Sequence, residues 1–452
     1  MNPNEISRKL RASEVQLVRF LYCDFGGVIR GKAASPDRIV AHIGDGLGLA
    51  NAMLSMTALD VIPPDASNTL VGEVRLVPDP DSFVILPYAP RSAQMNCDLV
   101  DLDHRPSPLC PRSFLKRMIG QLVERGFVMD AAFENEWYLA RQNSDGSFSP
   151  FDRTPALSAT GMESAEVIVQ DVITALLAQG IQVEQYAPEL GPGQQEISIR
   201  HAPALQAADH QITYRQTCRA IAPKHNVMAL FAPKPFLNEA GSGAHIHFSL
   251  WNKARTRNLF ADMKDPTGHG LTRMAYQFIG GVLKHLPALL AIAAPTVNSY
   301  RRLQPRAWST AFNVWGIDNR EAAIRVPSRY WSDEMDCCNL EFKPSDPSAN
   351  PYLIMGALIA AGLDGLDQQI EPPLPIDEEP GQLSDEARAE RGITRLPSSL
   401  GEALDALERD ELICVALGTA MTQEYLIVKR AEIKAFAEKD TSFELQQHSV
   451  KF

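Results

Sequence analysis

Apolar and polar positions alternate loosely over residues 16–35, QLVRFLYCDFGGVIRGKAAS, around Gly26 and Gly27, where glycine supplies the positive φ of a tight turn. The pattern predicts a β-hairpin that opens a small domain. Strand-like runs recur at VRLVPD and SFVILPY before RPSPLCPRS punctuates the chain near residues 105–113. The first domain is therefore expected to cover residues 1–108 and a second to cover 109–452. From Ser113 the period changes: Phe114, Leu115, Met118, Ile119, Leu122 and Val123 recur at helical spacing and Gly126 stops the run. A strand, FVMDAAFENEWYLA, follows.

Further helices are predicted from about Ser164 to Gly180 and from about Pro203 to His225, each ending on a breaker or a basic residue. Between them EQYAPELGPGQQEISIR is strand-like at both ends around a Gly-Pro-Gly turn. Long helices alternating with short strands that carry polar residues indicate a mixed α and β domain. The acidic, proline-rich stretch from Glu371, EPPLPIDEEPGQLSDEARAE, is expected to be a surface excursion, and consecutive amphipathic helices follow it.

Composition narrows the class. Of 452 residues, 45% are hydrophobic and 22% charged, which fits a globular core and excludes wholesale disorder. The balance of 43 basic against 55 acidic residues leaves a net charge of −12, which disfavours a sequence-independent grip on nucleic-acid phosphates. The seven cysteines show no CxxC pairing, so a reduced, cytoplasmic setting is expected. No run approaches the roughly 18 uninterrupted apolar residues of a membrane span, and the amino terminus lacks the apolar core of a signal peptide.

Several clusters carry chemistry. Glu134 and Glu136 lie two apart in a strand pattern and so share one face, while Phe133, Trp137 and Leu139 place that strand in the core. Two like charges are tolerable there only with a cation between them. Glu189 and Glu196 flank the LGPGQQ turn. In AGSGAHIHFSL, His245 and His247 share a strand face, and the preceding glycines allow backbone to approach a ligand closely. Arg301, Arg302, Arg320 and Arg325 form an arginine cluster suited to two-point contact with carboxylate or phosphate. Glu341 alternates with Lys343 on a last strand-like piece. Other histidines, His42 and His285 among them, are read as ordinary surface or core residues. Carboxylates with one or two histidines and no thiolate set suit hard cations, Mg²⁺ or Mn²⁺, and with the arginines they imply phosphoryl transfer. No GxxxxGK[ST] loop is present.

The ordered set FENEW, PELGPGQQE, GSGAHIHFS, NSYRRL, NREAAIRVP and EFKPSDPSANPYL resembles the glutamine synthetase superfamily over nearly the whole chain. The resemblance implies an α+β fold: an N-terminal β-grasp domain and a large catalytic domain whose antiparallel strands, flanked by helices, form half of an active-site funnel. It implies a homo-oligomer, commonly twelve subunits in two hexameric rings, in which the neighbour completes that funnel. It assigns Glu136, Glu189 and Glu196 to the metal nearer the amino-acid substrate, and Glu134, His245 and Glu341 to the metal nearer the nucleotide. It places His247 and Ser249 against ATP, with Gly241 and Arg302 on glutamate. Arg320 and Arg325 hold the phosphates in this scheme. The implied reaction is attack of the glutamate γ-carboxylate on ATP, then displacement of phosphate by an amine.

Three departures from the family pattern shape the expected substrate. The stretch GLGLANAMLSM, residues 46–56, has no acid where ammonia-using members carry the aspartate of an Asp-Gly-Ser-Ser loop. Trp308 stands where a flap glutamate closes the site, and an apolar ring suits an amine that carries a carbon group. Lys343 replaces an arginine and cannot reproduce its planar fork, while Ala240 replaces an asparagine. No tyrosine lies between Tyr352 and Tyr425, so the adenylylated loop of many bacterial members is not expected. These features resemble the γ-glutamyl-amine ligase branch. The alternatives are an ammonia-using enzyme in which Trp308 merely packs the flap, and a catalytically silent scaffold that keeps the fold.

Overall fold

The computed structural model describes every residue except Thr69. Near the amino terminus, β1 (Leu17–Cys23) and β2 (Ile29–Ala34) form the antiparallel hairpin, and Gly27 takes φ +81° in the turn between them. With β3 (Leu47–Ala50), β4 (Glu73–Pro78), β5 (Val84–Ile85) and β6 (Ser92–Val100) they make a six-stranded sheet among the described residues, ordered β2-β1-β6-β4-β3 with β5 on β6. The β1–β6 pairing is parallel and the others are antiparallel.

Among the described residues the second sheet has ten strands. Its spine is β7 (Phe127–Gln142), on which β8 (Phe148–Pro150), β10 (Gln194–Ile199), β11 (Ala202–Pro203), β12 (Met228–Leu230) and β13 (Ala244–Asn252) all pair. The path is completed by β9 (Val183–Pro188) beside β10 at one end. At the other, β14 (Trp315–Ile317), β15 (Ile324–Val326) and β16 (Leu340–Phe342) lead in to β13. Along β7, burial alternates from Ala131 to Trp137, because successive side chains project to opposite faces. Phe133, Asn135 and Trp137 go inward, and the Asn135 amide is satisfied by a reciprocal pair of 2.7 Å bonds with Gln211.

Helices cover the buried face. Arg273–Ala293 and Pro351–Asp367 cross so closely that a Cβ on Gly281 would stand 2.2 Å from the Ala361 carbonyl, and one on Gly365 2.0 Å from that of Gln277. Only glycine admits such an approach. Arg273–Ala293 is long and apolar enough to cross a membrane, but 83% of its apolar window is buried inside the protein, as befits a core helix. Two helix starts differ from the sequence reading. Pro111–Glu124 begins two residues early because Pro111 occupies its first turn behind Cys110, and Ala159–Ala178 begins at a Ser158 cap that the apolar periodicity does not register. The proline-rich stretch after Glu371 is largely exposed yet pinned: the Ile376 N–H donates to the Trp315 carbonyl at 2.9 Å, and the Trp315 indole donates to that of Pro373 at 2.7 Å.

Two buried polar hubs tie these layers together. Arg112, 2% exposed, bonds Asp209 twice, at 3.1 and 2.8 Å, together with Asp98 at 3.1 Å and Asp79 at 2.8 Å. It thereby joins the amino-terminal sheet to the helix Ala204–Ile221. His285, on the long core helix, faces Asp410 through Nδ1 at 2.7 Å and Asp364 through Nε2 at 2.9 Å. Two carboxylate partners require a donor at each ring nitrogen, which only the imidazolium supplies.

Arg112→Ala leaves three carboxylates facing one another and should cost about 3–5 kcal/mol in chemical denaturation. Burial alone would lower the His285 pKa, but Asp410 and Asp364 outweigh it and raise it. Its stabilising contribution is therefore complete below the unfolded value of about 6.5 and is lost as pH rises through the elevated folded value. Denaturation midpoints of wild type and His285→Gln, measured across pH, should converge on the alkaline side; a gap that widens there would contradict the assignment.

Candidate active site

One face of the second sheet collects the charged residues by register alone. Glu196 on β10 lies opposite Glu136 on β7, Glu134 opposite His245 on β13, His247 opposite Glu341 on β16, and Arg325 on β15 opposite Glu341. Five strands thus bring seven side chains into a band, since directly paired residues on adjacent strands lie side by side.

The distances describe a dense cluster. His247 Nε2 is 2.8 Å from Glu134 and 3.9 Å from Glu341, and its Nδ1 is 2.9 Å from the Asn339 side-chain oxygen. His247 thus has an acceptor at each ring nitrogen, Asn339 at Nδ1 and Glu134 at Nε2; burial opposes its charge, but Glu134 and Glu341 outweigh burial and raise its pKa to about 9. Donor atoms of Glu134, His247 and Glu341 all lie within 4.8 Å of one another, the geometry of a metal-binding group. His245 is buried and faces the same pair, Nδ1 being 3.3 Å from Glu341 and 3.6 Å from Glu134. That nitrogen has no hydrogen-bond partner, while Arg302 donates to the opposite Nε2 at 3.1 Å. The resemblance gives His245 to the metal and His247 to ATP; in the structure both histidines face the Glu134–Glu341 pair. The group of two carboxylates and an imidazole, Glu134, Glu341 and His247, is a donor set that fits a divalent cation.

Two flanks differ in electrostatics. On the β16 side, burial works to raise the Glu341 carboxyl, but Lys343 at 3.3 Å, His247 and His245 hold it down to about 2. Arg325 adds a bond of 2.7 Å to its other oxygen. Burial likewise opposes ionisation of Glu134, and the two histidines overcome it, leaving its pKa well below the usual carboxylate range. On the β10 side no cation outweighs burial. Burial, then the charges of Glu134, Glu136 and Glu189, push Glu196 up to about 10, and burial with Glu136 raises Glu189. This side is short of positive charge.

Loops set the rest. A Cβ on Gly243 would stand 2.4 Å from His245 Nε2, and the Gly243 N–H donates to Glu136 at 2.7 Å, so backbone enters where no side chain fits. Gly241 closes in similarly: its Cβ would meet Arg302 at 2.7 Å, and its carbonyl accepts from the Gln194 amide at 2.9 Å. Arg302, last residue of the short helix Ser299–Arg302, is buried and donates to the Pro344 and Lys343 carbonyls at 3.1 and 3.0 Å. The Ala240 carbonyl accepts the Tyr138 hydroxyl at 2.7 Å.

Three expected residues stand apart from the cluster. Ser249 lies opposite Asp130, and its hydroxyl accepts the Trp251 indole N–H at 2.9 Å. Arg320 is exposed between β14 and β15, and its charge opposes the rise that burial and Glu136 impose on the Glu189 pKa. Trp308 is 60% exposed at φ +54°, two residues after Arg306 at φ +60°. Left-handed backbone at these residues is uncommon and strained. Asn339, which orients His247, was missed by sequence reading because a single amide outside a strand pattern carries no signal.

Family models agree with this layout. The glutamine synthetase N-terminal domain matches residues 1–107 and the glutamine synthetase catalytic domain residues 108–448. A gamma-glutamylpolyamine synthetase of Streptomyces coelicolor is 35% identical over 430 residues, covering 94% of this chain and 91% of its own. A glutamine synthetase of Thermotoga maritima is 32% identical over 99% of both chains. Among solved structures, a crystal structure of a novel glutamine synthase homolog superposes with TM-score 0.86 at 31% identity, covering 97% of this chain and 99% of that one. A GmaS/ADP complex superposes with TM-score 0.83 at 28% identity over 97% of each. The chain belongs to the glutamine synthetase family and is an ATP-dependent carbon–nitrogen ligase.

Proposed function

We propose that this ligase joins the γ-carboxylate of glutamate to an organic amine rather than to ammonia. The observation that carries the reading is Trp308: the residue on the flap is a wide, largely exposed indole held in left-handed backbone, with no carboxylate of its own to attract ammonium. An exposed ring on the segment that Ser309 ties back to the Arg302 carbonyl offers apolar surface to an alkyl or aryl group, which is favourable to bury. The likeness to a gamma-glutamylpolyamine synthetase supports it. The amine reaches an electrophilic γ-glutamyl phosphate, formed when glutamate takes the terminal phosphoryl group of ATP.

The chain's own groups have distinct tasks in this scheme. Arg302, buried and fixed by two carbonyls, presents a rigid guanidinium beside Gly241 for the glutamate carboxylate. Arg325 and Lys343 compensate Glu341, and Arg320, exposed at the loop between β14 and β15, is free to follow the phosphates. His247, held by Asn339, and His245 would share Mg²⁺ or Mn²⁺ with Glu134 and Glu341, and Glu136, Glu189 and Glu196 would hold a second ion. Such ions neutralise the charge on the transferred phosphoryl group. Ser249 is assigned to the nucleotide edge of the same face. The functional unit proposed is a homododecamer of two hexameric rings.

Phosphate release with ATP, Mg²⁺ and glutamate, assayed against ammonia, methylamine, isopropylamine, ethanolamine, putrescine, spermidine and aniline, should show highest kcat/KM for one of the organic amines. Ammonia as the best substrate would sink the reading, and silence with every amine despite ATP binding would point to a scaffold. Trp308→Glu should move the preference towards ammonia by about tenfold or more, the scale of one lost apolar contact. In Mn²⁺ titrations, Glu341→Gln should weaken metal binding by about 100-fold and abolish turnover, whereas Ser249→Ala should leave metal binding unchanged.

A further inference from the structure

Behind the helix that carries Arg302 lies a cavity of about 700 Å³, which shares no lining residue with the carboxylate cluster. The volume is that of clefts which take small organic molecules. Leu237, Leu400 and Ile433 give it an apolar wall, and Tyr300 lines it on the Arg302 side. Among the described residues, its charged lining groups, Lys234 and Arg301, are both cations.

The two cations are compensated differently. Arg301 is held by Glu444 through bonds of 2.8 and 2.7 Å. Lys234 donates to the Glu239 carbonyl, and among the described residues no carboxylate lies within ion-pair distance of its ammonium. Burial depresses its pKa, against the pull of the more distant Glu239 charge and with the push of Arg302. A half-buried ammonium with one neutral acceptor has two donors left to offer. The nearby helix Leu400–Arg409 does not compete for an anion at its start, because Ser399 caps Glu402 and the Glu402 carboxylate accepts the Ser398 N–H at 2.7 Å.

We propose that this cavity is a binding site for a small organic carboxylate with an aryl or branched apolar body, its carboxylate on Lys234 and its body against Leu237, Leu400 and Ile433. The site is separate from the one that takes glutamate, and its existence does not depend on which amine the enzyme uses.

Phenylacetate is a suitable probe, with phenylacetamide as its neutral counterpart, titrated calorimetrically into the full chain with glutamate in excess to fill the reaction site. Phenylacetate should bind once per chain and at least about tenfold more tightly than phenylacetamide, the scale of a hydrogen bond to a charged group. Lys234→Met should weaken phenylacetate by about tenfold or more and leave phenylacetamide unaltered. Gly401→Leu should weaken binding of both by narrowing the cavity; a Cβ there meets only the Ser399 hydroxyl, at 3.9 Å, and leucine is a better helix former than glycine. No binding of phenylacetate, equal binding of the two probes, or phenylacetate affinity unchanged in both variants would overturn the proposal.

Discussion

The structure depends on holding like charges together. Glu134, Glu136, Glu196 and Glu341 lie on one face of one sheet, and Glu189 closes on them from the β9–β10 turn. Two carboxylates 4 Å apart repel by about 4 kcal/mol at the effective dielectric of a protein surface. The protein answers on one side with its own cations, surrounding Glu341 with Arg325, Lys343 and two histidines. On the other side only the more distant Arg320 opposes burial, so Glu189 and Glu196 are left short of positive charge. Positioning such a cluster requires a scaffold stiff enough to resist its repulsion.

That stiffness comes from the opposite face. Trp137 stacks on Phe231 with ring centroids 5.7 Å apart and donates its indole N–H to Tyr214 at 3.0 Å. The reciprocal Asn135–Gln211 amides pin the strand between the two glutamates to the helix below. Arg112 extends the same logic between domains, because one buried guanidinium satisfies aspartates from both. Local rigidity and domain docking thus use fully bonded polar groups inside an apolar core.

Much of this was legible in the sequence. The alternation in FENEW places Glu134 and Glu136 together and Asn135 with the core, and the hairpin at Gly26 and Gly27 follows from backbone freedom alone. Cross-strand register is different. That Glu196 faces Glu136, or His247 faces Glu341, depends on pairings 60 to 94 residues apart that no local pattern encodes, and here the family resemblance did the work. Partners remote in sequence hide for the same reason: His285 reads as an unremarkable core histidine until helices 79 and 125 residues away bring it Asp364 and Asp410. Caps such as Ser158 are chemically clear, yet they fall outside an apolar period.

The alternation of β7 also restricts how this gene can drift. Because strand side chains have a period of two, inserting or deleting a single codon between Phe133 and Trp137 would exchange the faces, sending a carboxylate into the aromatic core and Asn135 out to the cation face. Substitutions there can be graded in effect, whereas a one-residue length change reverses inside and outside at once. The exposed stretch after Glu371 keeps no such parity, so a one-residue length change there exchanges no faces.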